Sequence, residues 1–503
     1  MKNTRMAKSG RVLSLILALL TVAALFTFAS CGETEKPAVQ TTAVASETKA
    51  PESGAEETTA ALFEKTDYKG AKFILWQRDY NASSYASLYV ENFTDDISDL
   101  MSQAVFKRNS MLEDFYNIDL EVRNGFTVDK YSIQLQGGEI DFDLILSTKS
   151  SLTPRIITGE LQPFDNLDVD FSREWWHEKS LEDFEVAGNH YLVSNDVTIY
   201  RFSAARFFYW NKRIQQDHNL ESPYDLMKAD KWDIEHFLQM VQGVSTDNGF
   251  TALGEYGLLL ETGGGNGVFA HLATGCGIRL TETRDDEITI ILGEQMEKID
   301  TLFSKLKSTF NNMYCVLDFS MAQALDTQGE GAGSSNMYNW GRKLFAGGHF
   351  LFTQTNIACS NQFIEMKDEY GVAPNPKYNS DQEDYIHKDD CNSLIFAIPN
   401  DGNIDLTRLG RILDYWAYAS SQTVIPDYYE ITIKTKRAYE SEAGRVIDIV
   451  KATTVSEIGE AMSIGLSGVL NDAYGRGSIA SAWASKKEAM ETAIAAYNEW
   501  EPY

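Results

Sequence analysis

The sequence predicts an α/β protein. Short apolar runs of strand length alternate with amphipathic stretches in the first third, the last third is patterned almost wholly as helix, and hydrophobic residues make up 43% of the 503, enough for large cores. Lys72–Trp76 (KFILW), bounded by Gly70 and the polar Gln77-Arg78-Asp79, reads as a buried strand. Ile97, Leu100, Met101, Ala104, Val105, Met111, Leu112 and Phe115 then share one helical face, with Asp95 and Asp96 at its start, where carboxylates suit the helix dipole. Ile118–Arg123 alternates as a strand, and Phe142–Ser147 (FDLILS) reads as another buried one. Strand, helix, strand, strand is the order of a sheet with crossover connections. Asp233 opens a helix carrying Ile234, Phe237, Leu238 and Val241, and Glu294–Phe310 repeats the pattern through Met296, Ile299, Leu302, Phe303 and Leu306. Helices at Ile404–Ser420, Ser441–Ala452 and Ser478–Trp500 close the chain. One early sheet, a long middle and a helical end suit two interleaved lobes.

The chain carries 44 basic and 73 acidic side chains, a net −29. Its first 30 residues hold Lys2, Arg5, Lys8 and Arg11 and no acid, which leaves 40 basic against 73 acidic side chains, a net −33, on the rest. Such a body lacks the Lys and Arg that nucleic-acid phosphates require and is equally unsuited to coating an anionic membrane. Solubility is the plain reading of the acidity.

Val12–Phe28 is an apolar run after that basic stretch, followed by Phe28-Ala29-Ser30-Cys31. The ending resembles the lipobox of bacterial lipoproteins, with Phe28 where Leu is usual; an uncleaved N-terminal helix is the alternative. The resemblance implies that residues 1–30 are a lipoprotein signal peptide, that Cys31 carries the lipid, and that the body sits at the extracytoplasmic face of the cell membrane, held by two or more acyl chains. Residues 32–62 are rich in Thr, Ala, Glu and Ser, lack aromatics, and read as a disordered tether. As a flexible coil it spans roughly 30 Å.

Along the body, a series of phrases occurs in order: FKRNSMLEDFYNIDLEV (106–122), FDLILS (142–147), GELQPFDNL (159–167), WWHEKSLEDFEVAGNHYLVSND (175–196), FFYWNKRI (207–214), SPYDLMKADKWDIEHFLQM (222–240), LFAGGHFLFTQT (344–355) and YGVAPNPKYNSDQEDY (370–385). Together they resemble the substrate-binding proteins of ABC importers, in the carbohydrate-binding, maltose-binding-protein-like branch; residues 249–340 match poorly. The resemblance implies an α/β, two-lobe periplasmic-binding-protein type II fold, its interleaved lobes joined by hinge strands that close on a ligand. The chain would cross near Ile199–Ala205, return near Leu394–Pro399 and cross again near Thr423–Tyr429. Lobe one is then 63–200 plus 395–423, and lobe two 201–394 plus 424–503. The implied protein is a monomer that performs no chemistry and needs no cofactor. Its partners are a small-molecule ligand, a carbohydrate first of all, and the subunits of an ABC permease.

Sugar sites combine aromatic faces, which pack on the C–H face of a pyranose, with planar polar groups that bond its hydroxyls. Such groups belong at strand ends. After the first strand stand Gln77, Arg78 and Tyr80; after the third, Ser147, Thr148 and Lys149; near the first crossing, Asn195, Asp196, Tyr200 and Arg201. Gln354 follows Phe350–Phe352, Trp340 offers a stacking face or a core residue, and Tyr428 and Tyr429 follow Pro426 near the third crossing. Trp175 and Trp176 read as packing against lobe one. Arg201 or Arg78 would instead suit an anionic or peptide ligand, and paired acids such as Glu182-Asp183 a surface polysaccharide-acting enzyme.

Other chemistry finds little support. The glycine-rich 263–267 stretch lacks the lysine of a P-loop, there is no HExxH or G-x-S-x-G, and seven scattered histidines show no metal spacing. His387-Lys388-Asp389-Asp390-Cys391 reads as a surface loop. Cys276, Cys315, Cys359 and Cys391 fall in proposed lobe two; buried free thiols are the expectation, with disulfides open to an exported protein.

Overall fold

The computed structural model describes residues 62–78, 100–199, 203–261, 268–334, 336–363, 365–390, 393–434, 441–462 and 464–501. Cys31, residues 32–61, Tyr80, Asp95, Asp96, the 263–267 stretch, Tyr200, Arg201 and Cys391 lie outside them.

The chain lays down β1 (Ala71–Gln77), helix Leu100–Tyr116, β2 (Ile118–Arg123), β3 (Leu144–Thr148) and β4 (Leu161–Gln162), then a small hairpin of β5 (Glu185–Val186) and β6 (Asn189–His190). After the first crossing come β7 (Arg206–Asn211), β8 (Tyr256–Leu260), a second hairpin of β9 (Thr281–Arg284) and β10 (Glu287–Ile290), β11 (Val316–Asp318), β12 (Phe350–Asn356) and β13 (Tyr370–Ala373). β14 (His387–Lys388) leads into β15 (Leu394–Pro399), and β16 (Thr454–Val455) pairs with β14.

Two five-stranded sheets result, in the orders β2-β1-β3-β15-β4 and β11-β8-β12-β7-β13. Each has three parallel strands and then one antiparallel strand, β15 in the first and β7 in the second. β7 is the first strand laid down in its sheet, whereas β15 joins its sheet only after the whole second sheet has been laid down.

Strand periodicity explains the cores. In β1, β3 and β15, Leu75, Leu144, Leu146, Phe396 and Ile398 face one way, into a cluster with Leu112, Leu409, Leu413 and Trp416. Their neighbours Trp76, Ile145, Ile395 and Ala397 face the other, with Phe142, Leu152 and Tyr191. Both faces are covered, so these strands are continuous apolar runs. The second sheet builds the largest cluster around Phe207–Trp210, Leu258, Leu259 and Phe350–Phe352. Helix starts are capped by short polar side chains: Asp233 accepts from the His236 N–H and Asp405 from that of Arg408.

The structure departs from the sequence reading in four places. The 478–500 stretch is two helices, Ile479–Ala484 and Lys487–Asn498. The third crossing is not a strand: helix Leu406–Gln422 breaks at Thr423, whose hydroxyl donates to the Ala419 carbonyl at 2.7 Å, and resumes as helix Val424–Lys434. Ile458, Ala461, Met462, Ile494 and Tyr497 share one cluster with Trp76, Ile145 and Ile395 and also with Ile288, so this cluster runs across the expected boundary between the lobes. Finally, His387, Lys388, Asp389 and Asp390 are buried rather than a surface loop. Their partners lie far away in sequence, so no local pattern reveals them.

Trp175 and Trp176 are held by one carboxylate. Their indole N–H groups donate to Asp414 Oδ1 at 2.7 and 2.9 Å, and Arg173 pairs with Oδ2. Burial lifts the Asp414 carboxyl above its usual range even so. Asp414→Ala strands both indoles and the arginine, and urea unfolding is expected to show a loss of about 2–4 kcal/mol, less for Asp414→Asn.

Cys276, Cys315 and Cys359 are buried and unbridged. Burial pushes the Cys276 thiol up to about 12. Titration of the denatured, unreduced body is expected to count at least these three thiols; two or fewer would contradict the structure.

Candidate functional site

Strand ends are where α/β sheets bind ligands, and here they carry the predicted polar residues. The structure uses several of them internally. Gln77 turns its amide into lobe one, donating to Asn124 Oδ1 at 2.8 Å. Arg78 is exposed, with its backbone N–H on the Leu146 carbonyl at 3.0 Å. Ser147 and Thr148 are buried, Thr148 Oγ1 lying 2.7 Å from Ser151 Oγ. Gln354 donates to Asn375 Oδ1 at 2.9 Å, and Trp340 packs over Gly331, where an added Cβ would sit 2.4 Å from the indole.

Between the sheets lies a buried array of charge. Arg206, at the start of β7, reaches Asp390 at 3.1 Å and also pairs with Glu261, which follows β8. Glu261 takes Arg342 at 3.3 Å as well. Lys149, which follows β3, pairs with Asp389 at 2.5 Å, and the Ser456 hydroxyl donates to the other oxygen of Asp389 at 2.9 Å. All of these side chains are buried. Ions removed from water persist only when paired and hydrogen-bonded, and this array meets that condition. His271, beside it, is held neutral by burial first and then by Lys388 and Arg206. His387 accepts from the Asn375 N–H through Nε2 at 3.1 Å, so its proton sits on Nδ1, 2.8 Å from Thr453 Oγ1. Burial lowers this imidazole to about 3.

Next to the array a cavity of about 630 Å³ opens where the first crossing meets the C-terminal helices. Asp196, Thr198 and Ile199 supply one wall, Ile425 and Tyr429 a second, and Asp448, Lys451 and Ala452 of helix Ser441–Thr453 a third, with His177 to Lys179 at the rim. The Asp196 carboxylate lies 2.9 Å from His177 Nε2, and His177 Nδ1 lies 3.0 Å from Ser194 Oγ. Asn195 is buried alongside, its Oδ1 accepting from the Val197 N–H at 3.0 Å and its Nδ2 without a partner. The Tyr429 phenol is raised above its usual range by burial, then by Asp448 and Asp196. Lys451 lies 5.5 Å from the centre of its ring.

A helix advances about 100° per residue, so Tyr428 turns into the lobe-two core while its neighbour Tyr429 faces the cavity. Sequence reasoning missed His177, Asp448 and Lys451. The spacing 448, 451, 452 on one helical face was the available signal. The arrangement offers an aromatic ring, apolar side chains and converging carboxylate, ammonium, imidazole and hydroxyl groups, the composition of a small-molecule pocket. Among the described residues no cluster of His, Cys, Asp and Glu is disposed to hold a metal.

The buried histidines set the acid limit of the fold. His387 titrates near 6.5 when unfolded and at about 3 when folded. The unfolded chain therefore takes up the proton first as pH falls. Stability present above about pH 6.5 drains away toward pH 3, by up to about 1.4 kcal/mol per pH unit from this group. Urea unfolding at a series of pH values is expected to show that slope, and His387→Gln to reduce it; an unchanged slope would place the histidine elsewhere.

No protein-family model matches the chain, and no curated protein does. Solved structures do. A cyclo/maltodextrin-binding protein complexed with maltotetraose aligns at 12% identity and TM-score 0.54, over 86% of this chain and 99% of its own. The GacH receptor of Streptomyces glaucescens, solved unliganded and with acarbose, aligns at 12% identity and TM-score 0.54, over 86% and 100%. An ABC substrate-binding protein from Listeria monocytogenes with cycloalternan aligns at 12% and 0.51, over 85% and 99%. The mixed α/β chain, with two five-stranded sheets of which the first receives its strand β15 after the second has been laid down, has the two-lobe type II fold of the maltose-binding-protein-like periplasmic binding proteins.

Proposed function

We propose that this chain is the lipid-anchored, sugar-binding receptor of an ABC importer, which clasps a carbohydrate between its lobes and hands it to a permease. The observation that supports this most is the cavity itself: groups from the crossing segment (Asp196, Thr198) converge there with groups from the C-terminal helices (Tyr429, Asp448, Lys451). Planar carboxylates and an aromatic ring are the groups a pyranose asks for. Fold likeness to sugar-bound neighbours points the same way. Closure would follow from the ligand's higher affinity for the closed form. Lobe one as 63–200 plus 395–423, a Cys31 lipid anchor, the extracytoplasmic face, a monomeric state and the absence of catalysis belong to the same proposal.

Calorimetry against mono- and oligosaccharides tests the ligand. Saturable binding of a sugar is expected, and Tyr429→Ala and Asp196→Ala should each weaken it by about 10- to 100-fold, the worth of one stacked ring or one charged hydrogen bond. Silence toward every sugar, with binding of peptides or anions, would move the assignment to another solute; turnover of polysaccharide would make the chain an enzyme. Cys31→Ala is expected to shift the protein from the membrane fraction to the soluble one.

A further inference from the structure

We infer that the site takes a short saccharide, two or three pyranose units, and that the part of the cleft beside β3 is closed by the chain's own tail. This deepens the sugar-binding reading and rests on it.

The first observation is what lies over the end of β3. Ile458, Ala461 and Met462 share one buried apolar cluster with Ile145 of β3, Leu152 just beyond it and Ile395 of β15. The polar side of the same tail segment is anchored to lobe two: Glu457 holds Arg279 at 2.5 Å, and Glu460 holds Lys388 at 2.6 Å. Ser456 joins the two, its backbone N–H on Asp183 at 2.7 Å and its hydroxyl on the Asp389 that pairs with Lys149. At this strand end Ser147 is buried, Thr148 Oγ1 lies 2.7 Å from Ser151 Oγ, and Lys149 is paired with Asp389. A ligand reaching Ser147 or Thr148 would have to displace an apolar segment and break buried ion pairs, at a cost of several kcal/mol.

The second observation is the space that remains. A volume of about 630 Å³ lies in the middle of the range for sites that hold one small ligand, about 300–1,000 Å³. It has room for two or three sugar rings. Its polar groups cluster around Tyr429, with Asp196 and Asp448 near the phenol and Lys451 over the ring. Sugar units beyond the two or three that fill this cavity would lie outside it, where water competes for each hydroxyl.

The test is a chain-length series by calorimetry on the intact body: maltose to maltohexaose, and mannobiose to mannohexaose, each with its monosaccharide. In a series that binds, affinity is expected to rise to the di- or trisaccharide and then to change by less than about threefold up to the hexasaccharide. A gain of tenfold or more from trisaccharide to hexasaccharide would overturn the short-ligand inference while leaving sugar binding intact. No binding in either series at any length would remove the sugar reading and this inference with it. A second measurement keeps the seal itself at risk. Met462→Cys, labelled with a thiol reagent in native conditions, is expected to react at least tenfold more slowly than after denaturation, both without ligand and with it; rapid native labelling would show that the tail does not close this end.

Discussion

Everything at the junction of the two lobes depends on pairing charges that have been taken out of water. Arg206 lies between Glu261 and Asp390, Arg342 shares Glu261, and Lys149 faces Asp389. Left alone, any one of these groups would cost the fold several kcal/mol. No two partners come from the same element: Lys149 follows β3, Arg206 opens β7, Glu261 follows β8, and the two aspartates connect β14 with β15. The array can be satisfied only when both sheets and both crossings are in register, so it works as a check on topology more than as a source of stability.

The cavity inherits its geometry from that array. Asp196 and Thr198 are fixed because the crossing segment is pinned from both sides: Asn195 bridges to Trp176, and Val193 to Phe396 of β15. Trp176 in turn is tied to Asp414. The binding groups thus stand on a strut that runs from the core of lobe one to the edge of the pocket. Helix Val424–Lys434 meets it with Tyr429 because Thr423 resets the helix direction by one residue.

The sequence reveals what is written locally. KFILW and FDLILS are strands because both faces of their sheet are covered, which leaves an unbroken apolar run. What stayed hidden was written at long range. The polar string His387 to Asp390 reads as solvent-facing, since Lys149, Arg206, Thr453 and Glu460 are invisible from it. Gln77, Ser147 and Thr148 occupy the strand ends as expected, yet all three are buried, Gln77 bonded to Asn124 and Thr148 beside Ser151. Tyr428 and Tyr429 read alike in the sequence, and only the helical phase separates them, turning one into the core and the other to the cavity.

The late strand of sheet one also sets an order of assembly. Sheet two draws its five strands from one continuous stretch, β7 to β13, residues 206 to 373. Sheet one begins at Ala71 but lacks its fourth strand until Pro399, and helix Leu406–Gln422, which covers its core, comes later still. A chain leaving the ribosome N-terminus first must therefore carry its earliest strands unfinished through the synthesis of the whole second sheet. The lobe translated later is the one able to close first. Its contacts span shorter loops, and loop closure costs less entropy for it. The N-terminal lobe is completed last, which leaves the leading part of the chain extended for longest.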